Sequence, residues 1–485
     1  MSLIRAWLTG TLAIDLSTVP KAMQPYMATL RHQLTLMAQR FKGRPVETPF
    51  WFQKGSWLYI PRAFPLTSEG SWLRPYLKIE DGRSPGRPLP RWTRMHKVSF
   101  GTPPWPAGQP GFIQGMVKGS QQTGIGGLAT APTRSGKTLC SIAAAVELGK
   151  STLILVDNVD IARQWRENVL DHVRAGNDQM VACGLIRAKR FESTTPFAVA
   201  TVQTLARRAL TDDVRRSFGT VLIDECQGVT CDQIFGAITR LEPQYIIGLT
   251  ATPRRRDGLG PAIPWIVGPH IAALHRQISA DVMFLRFPYV KHKIQKAVYV
   301  NGEPTGETKL GWPRINSFGR LNIVDAARAM FANPEFPTWL AQHIACARAD
   351  GRRVLVMVQL RENVEALARA CRQLGLDPGL YYGSMSRSAG LKAMAKNPCI
   401  TTVTKSKKGV DFKPAPTMFV LAAPLSDPEQ ATGRALQPQA AHTPLLVDVV
   451  VGEPKLIKQA RRRQQFYRSK GYNIRNVAWE EELAA

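Results

Sequence analysis

The sequence predicts an α/β protein: two tandem units built on parallel sheets flanked by helices, preceded by a small α+β domain. Three observations carry that expectation. Between residues 125 and 252, five short apolar runs (IGGLATA, STLILVD, PFAVATV, FGTVLIDE and YIIGLTAT) each give way to a helical period. Runs of this kind suit strands buried on both faces, as in a parallel sheet. A second series, RRVLVMVQL, LGLDPGLYYGS, PCITTVTKS, TMFVLAAP and TPLLVDVV, repeats the pattern from residue 352 to 450. Finally, a Pro-, Gly- and Arg-rich stretch from Gly82 to Pro110 sets the first series apart from the chain ahead of it. Proline there removes backbone donors and fixes φ, so the stretch reads as loop or linker.

These signals divide the chain of 485 residues into an accessory domain with its linker (1–105), a first α/β unit (106–272), a connecting segment (273–345) and a second α/β unit (346–485). The accessory domain carries apolar patches expected as strands, with one helix near Met23–Phe41. Its opening, MSLIRAWLTGTLAIDLSTVP, has a short apolar part interrupted by Thr9 and Gly10 and followed by Asp15, without a small-residue cleavage pattern. It reads as a strand rather than a leader. The connecting segment is less regular and holds the Gly/Pro-rich insert VNGEPTGETKLGWP.

Lys and Arg total 64 against 36 Asp and Glu, a formal net charge of +28. Such a field favours a polyanion, with nucleic acid the first candidate, although an anionic membrane surface would suit the same charge. No run approaches the ~18–20 apolar residues that span a bilayer. The seven cysteines are scattered without a C-x-x-C pair, and the eight histidines form no metal-spaced cluster. Buried thiols in a reducing, cytoplasmic compartment and no structural zinc are the expectation.

The strongest chemical signal is APTRSGKT, Ala131–Thr138, set between the apolar run GGLAT and the helical period LCSIAAAVEL. Strand, loop and helix in that order form a phosphate-binding loop, in which backbone N–H groups and a helix N-terminus cradle anionic oxygens. Lys137 would reach the β and γ phosphates of ATP and Thr138 would hold Mg²⁺. Ala131 stands where the strict loop has its first glycine. In VLIDECQG, Asp224 and Glu225 end an apolar strand. Asp224 suits the Mg²⁺ shell, and Glu225 suits orienting or deprotonating the attacking water.

Together these strings resemble the motifs of superfamily 2 helicases. APTRSGKT looks like motif I, with Pro132, Thr133, Arg134, Ser135, Gly136, Lys137 and Thr138 on the nucleotide, and DECQ looks like the DExH/Q box, with Gln227 in its last place. GLTATPRRRDG, Gly248–Gly258, is similar to motif III of the XPB-like branch, where Thr250 and Thr252 would couple the ATP and nucleic-acid sites. Leu153–Trp165 resembles motif Ia, Val199–Leu205 motif Ib, RVLVMVQLRENVEAL motif IV, Thr404–Phe412 motif V and Glu429–Pro438 motif VI. The resemblance implies two RecA-like domains and an ATP- and Mg²⁺-using, nucleic-acid-dependent ATPase. Arg434 would be an arginine finger, with Gly409, Asp411 and Gln430 beside the nucleotide. Arg163, Thr201, Gln203, Arg255, Thr404 and Lys405 would contact the nucleic-acid backbone. An adenine-contacting glutamine is expected upstream of Lys137; Gln114 fits the spacing and Gln109 is its rival.

Four departures accompany the match. Gln437 replaces a usual arginine in motif VI, Gln227 the commoner histidine, Arg134 a glycine, and Asp157–Asn158 a usual Pro-Thr. Arg5–Pro65 weakly resembles the extra domain ahead of the core in phage helicases of the UvsW type. Its aromatics Trp51, Phe52, Trp57 and Tyr59 are expected in the core, with base stacking the alternative. The Arg461–Arg463 run reads equally as a nucleic-acid-facing or a plain surface helix. The function expected is a DNA helicase or translocase of replication, recombination or repair, soluble and nucleoid-associated in a bacterial or phage-infected cell. The alternatives are an RNA helicase, or a nucleic-acid-binding protein with a decayed ATPase.

Overall fold

The structure, a computed structural model, describes residues 3–39, 44–66, 73–101, 108–132, 135–186, 192–207, 210–230, 232–251, 257–274, 280–288, 293–300, 303–313, 322–406, 416–424 and 443–475. The chain divides into two units, Met1–Arg276 and Gln277–Ala485.

The first unit opens with a five-stranded sheet. Its strands are β1 (Ile4–Leu8), β2 (Thr11–Asp15), β3 (Phe52–Lys54), β4 (Trp57–Pro61) and β5 (Leu77–Asp81), in the spatial order β3-β4-β2-β1-β5. The β1/β5 pair is parallel and the others are antiparallel. Period-2 alternation sends Ile4, Ala6, Leu12, Ile14, Leu58, Ile60 and Leu77 to one buried face, against Met27 and Leu30 of helix α1 (Gln24–Gln33). The expected helix to Phe41 is cut short: α1 ends at Gln33, and Thr35–Ala38 pairs as a strand with Val46–Pro49. Phe50 N donates to Leu34 O at 2.8 Å, tying the returning chain to the helix end.

This sheet is fastened to the α/β layer behind it. Buried Arg62 donates to Pro243 O at 2.9 Å, Gln244 O at 3.3 Å and Ile125 O. Burial pushes its pKa down to about 9, with the Arg83 charge adding to the effect and Asp81 opposing it. At Gly10 an added Cβ would lie 2.2 Å from Leu241 O, so only glycine permits the contact. The Pro/Gly-rich stretch read as linker also packs closely. Ser84 bridges to Pro243, Pro88 pairs with Lys150, and a Cβ on Gly86 would sit 2.0 Å from Gly219 N.

The rest of the first unit is a seven-stranded, all-parallel sheet. Its strands are β6 (Gly126–Thr130), β7 (Thr152–Val156), β8 (Cys183–Ile186), β9 (Phe197–Thr201), β10 (Thr220–Asp224), β11 (Tyr245–Thr250) and β12 (His270–Ala273), ordered β8-β9-β7-β10-β11-β6-β12. Helices α2 (Gly108–Thr123), α3 (Lys137–Leu148) and α4 (Val159–His172) pack on it through Phe112, Met116, Ile142, Trp165 and Val169. All five expected strands are present; β8 and β12 are additional.

The second unit holds another seven-stranded parallel sheet. Its strands are β13 (Asp281–Phe287), β14 (Val354–Val358), β15 (Gly379–Tyr381), β16 (Cys399–Thr402), β17 (Met418–Ala422), β18 (Leu445–Val451) and β19 (Asn473–Arg475), ordered β15-β16-β14-β17-β18-β13-β19. Strand β13 comes from the segment expected as a connector, pairing with β18 along its whole length. The Gly/Pro-rich insert forms a hairpin of Ile294–Val300 and Glu303–Gly311. Both seven-stranded sheets are RecA-like in layering, strands inside and helices on both faces.

Arg463, expected on a surface helix, is 2% exposed. It grips Asp448 of β18 through two bonds of 2.7 Å, while Tyr467 Oη donates to the same carboxylate at 2.9 Å. Burial by itself would lower the Arg463 pKa, but the Asp448 charge raises it by more, so the guanidinium stays charged. Its neighbours Arg461 and Arg462 are exposed. No helix among the described residues is long and apolar enough to cross a membrane. Cys140, Cys183, Cys226, Cys371 and Cys399 are buried free thiols and Cys346 is exposed; Cys231 lies outside the described residues.

Candidate functional site

Strands β10, β11 and β6 are neighbours, and their C-terminal ends bring the chemical residues together. Ligands in open parallel sheets bind at such carboxyl ends. The phosphate loop leaves β6, and Ala131 N donates to Thr250 O at 3.0 Å, stitching the loop to the end of β11. Gly136 caps α3 with φ +80 and no side-chain cap bond, so the first amides of the helix remain open to an anion. Ser135 is buried, and its Oγ has no hydrogen-bond partner among the described residues. An uncapped helix start, an orphaned buried hydroxyl and a lysine at the first helical position fit a nucleotide's phosphates.

Lys137 Nζ lies 3.1 Å from Asp224 Oδ1 and 3.5 Å from Glu225 Oε1. Burial would depress the ammonium pKa, but the Asp224 carboxylate and then Glu225 raise it by more, so Lys137 stays charged. Asp224 accepts from Lys137 and from the Glu225 backbone N–H (3.1 Å) at Oδ1, and from the Trp165 indole at 2.9 Å at Oδ2. A carboxylate offers about four acceptor sites, so a position remains for a metal-bound water. Thr138 follows Lys137 on the first turn of α3. Asp224 and Thr138 fit Mg²⁺, a hard cation that takes few protein oxygens and keeps waters and phosphates as its other ligands. Among the described residues no three metal-type side chains cluster.

Glu225 occupies the left-handed region at φ +51, a conformation a non-glycine residue holds only where its surroundings enforce it. The enforcement is visible. Gln227 Nε2 donates to Glu225 Oε2 at 2.7 Å, and Thr250 Oγ1 donates to Gln227 Oε1 at 2.6 Å. The glutamine that replaces histidine in the box thus spans Glu225 and the end of β11 with one amide, donor on one side and acceptor on the other.

Gln109 Nε2 donates to Ser135 O at 2.8 Å, and its Oε1 accepts from Gly101 N at 3.0 Å. A Cβ on Gly136 would meet Gln109 Nε2 at 2.4 Å. Gln114 is exposed and bonds Glu147 at 2.6 Å. Of the two glutamines, Gln109 is the one bonded at the phosphate loop. Trp165, quoted within motif Ia but given no role by the sequence, is the residue that reasoning missed. Its only signal was a large aromatic one turn beyond Ile161, a pattern indistinguishable from core.

In the first unit, Thr201, Gln203 and Arg163 lie at or just beyond the C-terminal ends of β9 and β7. Gln203 Nε2 reaches Asp157 Oδ1 at 3.3 Å, joining the β9 and β7 exits. Thr201 is nearly buried, its hydroxyl 2.8 Å from Thr204 Oγ1. Arg163 is exposed on α4 beside Asp160 at 3.4 Å. In the second unit Thr404 is exposed, while Lys405 donates to Gly383 O at 2.9 Å and stands 4.9 Å over the Tyr381 ring. Pro132 is half-buried. Thr133, Arg134, Thr252, Arg254–Arg256, Gly409, Asp411, Gln430, Arg434 and Gln437 lie outside the described residues.

The fold and this cluster define a P-loop nucleoside triphosphatase built on RecA-like sheets. Comparison with known proteins narrows the class. Residues 105–255 match the family described as "Type III restriction enzyme, res subunit". A putative ATP-dependent RNA helicase of Acanthamoeba polyphaga mimivirus is 23% identical over 76% of this chain and 68% of its own length. The probable helicase D10 of Escherichia phage T5 is 22% identical over 70% of each chain. The XPB helicase/translocase subunit of the general transcription and DNA repair factor IIH of Antonospora locustae is 24% identical over 72% of this chain and 52% of its own. Over 70–76% of its length the chain is thus similar to helicases that include XPB and these viral and phage proteins.

Proposed function

We propose that this protein is a superfamily 2 helicase that acts on DNA, hydrolysing ATP to move along or separate strands in replication, recombination or repair. The observation that carries the reading is the unbroken line Thr250–Gln227–Glu225–Lys137–Asp224 across adjacent strand ends, with interatomic distances of 2.6, 2.7, 3.5 and 3.1 Å. The open amides of α3, Ser135 and Lys137 take the phosphates of ATP, and Gln109, bonded to the same loop, would contact the adenine. Mg²⁺, when bound through Asp224 and Thr138, supplies charge neutralisation at those phosphates. Glu225 orients a water and accepts its proton as the water oxygen attacks the terminal phosphorus and the bond to ADP breaks. Gln227 holds Glu225 at its aim, and Thr250 ties that aim to the strand ends from which the nucleic-acid loops leave. By the family pattern Arg434 would add charge stabilisation, and Gly409, Asp411 and Gln430 would be further nucleotide-binding residues.

DNA is favoured by the XPB similarity, while the +28 charge suits either nucleic acid. Arg163, Thr201, Gln203, Arg255, Thr404 and Lys405 would then hold phosphate and sugar, which positions a strand without reading its sequence. The RNA reading is carried by the mimiviral relative, whose name specifies RNA. Strand displacement on matched forked DNA and RNA duplexes decides between them. ATP-dependent release of the DNA strand supports the proposal, and release confined to RNA overturns it.

A further inference from the structure

The N-terminal sheet has a second face whose flanking strands expose large side chains, while its central strand is buried. Opposite the buried face, the ladder registers place two rows of side chains side by side. One row runs Phe52, Tyr59, Ala13, Trp7, Glu80 across the five strands, and the next runs Lys54, Trp57, Asp15, Arg5, Lys78. Residues directly opposed in a ladder share a face, so the first row is mainly aromatic and the second mainly cationic. Of the four rings expected in the core, Phe52, Trp57 and Tyr59 lie on this face instead. Phe52 is 40% and Trp7 41% exposed, Trp57 and Tyr59 are half-buried, and only Trp51 packs on the core.

Phe52 and Tyr59 stack with ring centroids 4.6 Å apart and planes inclined by 4°. Trp7 sits two strands from Tyr59, its indole laid over Gly82, where a Cβ would come within 2.1 Å of Nε1. Only the methyl of Ala13 stands between Tyr59 and Trp7 in the row. Two strand spacings are about 9.6 Å; Ala13 is 5% exposed, covered between the two rings, so it is Phe52, Tyr59 and Trp7 that present surface to a base. Lys54 and Lys78 are exposed, and Arg5 keeps 62% of its side chain exposed, leaning to within 3.8 Å of Asp15. The face therefore carries three cations against Asp15 and Glu80.

We propose that this face is a second nucleic-acid site, a platform on which bases of single-stranded DNA stack while Arg5, Lys54 and Lys78 follow the phosphates. Flat rings interleaved with cations are what a single strand recognises, because every base has a π-face and every linkage a charge. The choice of DNA over RNA rests on the proposed function; the platform itself rests on the sheet. Arg62 fixes the sheet to the ATP-site domain, so a strand held here stays attached while the motor cycles.

The test uses the full chain and a labelled dT₂₀ oligonucleotide. Phe52→Ala with Tyr59→Ala should weaken binding about tenfold, and Tyr59→Phe should restore most of it, since the ring is the contact. Lys54→Glu with Lys78→Glu, both at exposed positions and unable to disturb the core, should weaken binding comparably and flatten its salt dependence. A dT₂₀ carrying 5-iodouracil should crosslink to Trp7, Phe52 or Tyr59. Unchanged affinity in both double variants, or crosslinks confined elsewhere, would overturn the platform. Loss of rU₂₀ binding with dT₂₀ binding intact would overturn its assignment to DNA. Lys137→Ala separates the two readings: it abolishes hydrolysis and leaves the platform's affinity in place.

Discussion

The indole of Trp165 donates to Asp224 Oδ2 at 2.9 Å, from a helix whose Ala162, Trp165 and Val169 are packed in the core. One buried aromatic thus fixes the rotation of the carboxylate that is to face the metal. The remaining oxygen is left to Lys137 and the Glu225 amide, so the orientation of the whole acidic pair depends on a side chain 59 residues earlier.

Trp165→Phe keeps most of the packing and removes the bond. A hydrogen bond to a charged group contributes roughly 1.5–3 kcal/mol. The expected result is a fall of about tenfold in turnover, with nucleotide affinity and melting temperature changed little. Equal losses in affinity and turnover would show that Trp165 acts through packing alone.

Gln227 and Thr250 act as one unit. Gln227→Leu and Thr250→Val should each lower nucleic-acid-stimulated hydrolysis more than the basal rate, and the double variant should fall scarcely further. Neighbours in one network couple by about 0.5–3 kcal/mol. Full additivity in a double-mutant cycle would contradict the link.

The pH dependence follows from Lys137. Its pKa is raised above the ordinary 10.5 of the free side chain. A base with a raised folded pKa contributes fully below the unfolded value and loses that contribution as pH climbs toward the folded one. The stability difference between wild type and Lys137→Met should be flat from about pH 7 to 10 on this account and shrink at higher pH. A difference that changes between pH 7 and 9 would show that another group controls it.

Arg62 joins the N-terminal sheet to the domain behind it through main-chain carbonyls. Arg62→Met leaves those carbonyls buried and unpaired, at about 1–3 kcal/mol each. Calorimetry should show a separate, earlier transition for the N-terminal sheet. A single unshifted transition would mean that the glycine contacts and Phe50 hold the domains together without it.

Much of this architecture was legible because both faces of each central strand are buried. TLILV and VLVMV read as strands since no position in them faces water. Asp281–Phe287 escaped notice because its burial is uneven, with Met283 and Arg286 exposed, so it lacks the apolar run. The glutamine at the nucleotide loop was undecidable by spacing, since Gln109 and Gln114 lie on the same helix and only its docking shows which face meets Ser135. The N-terminal aromatics were read as core because large rings usually are buried; the register that turns them outward is set by hairpin pairing. Trp165–Asp224 was beyond the sequence altogether, a contact between two elements that pattern alone does not juxtapose.

The most direct test of the central claim is the steady-state ATPase rate with no polymer, single-stranded DNA, duplex DNA and RNA, beside Lys137→Ala and Glu225→Gln. The account predicts strong stimulation by DNA, abolished in both variants while Glu225→Gln still binds ATP. No hydrolysis by the wild type under any condition, with DNA binding intact, would contradict it and leave a binding protein whose ATPase has decayed.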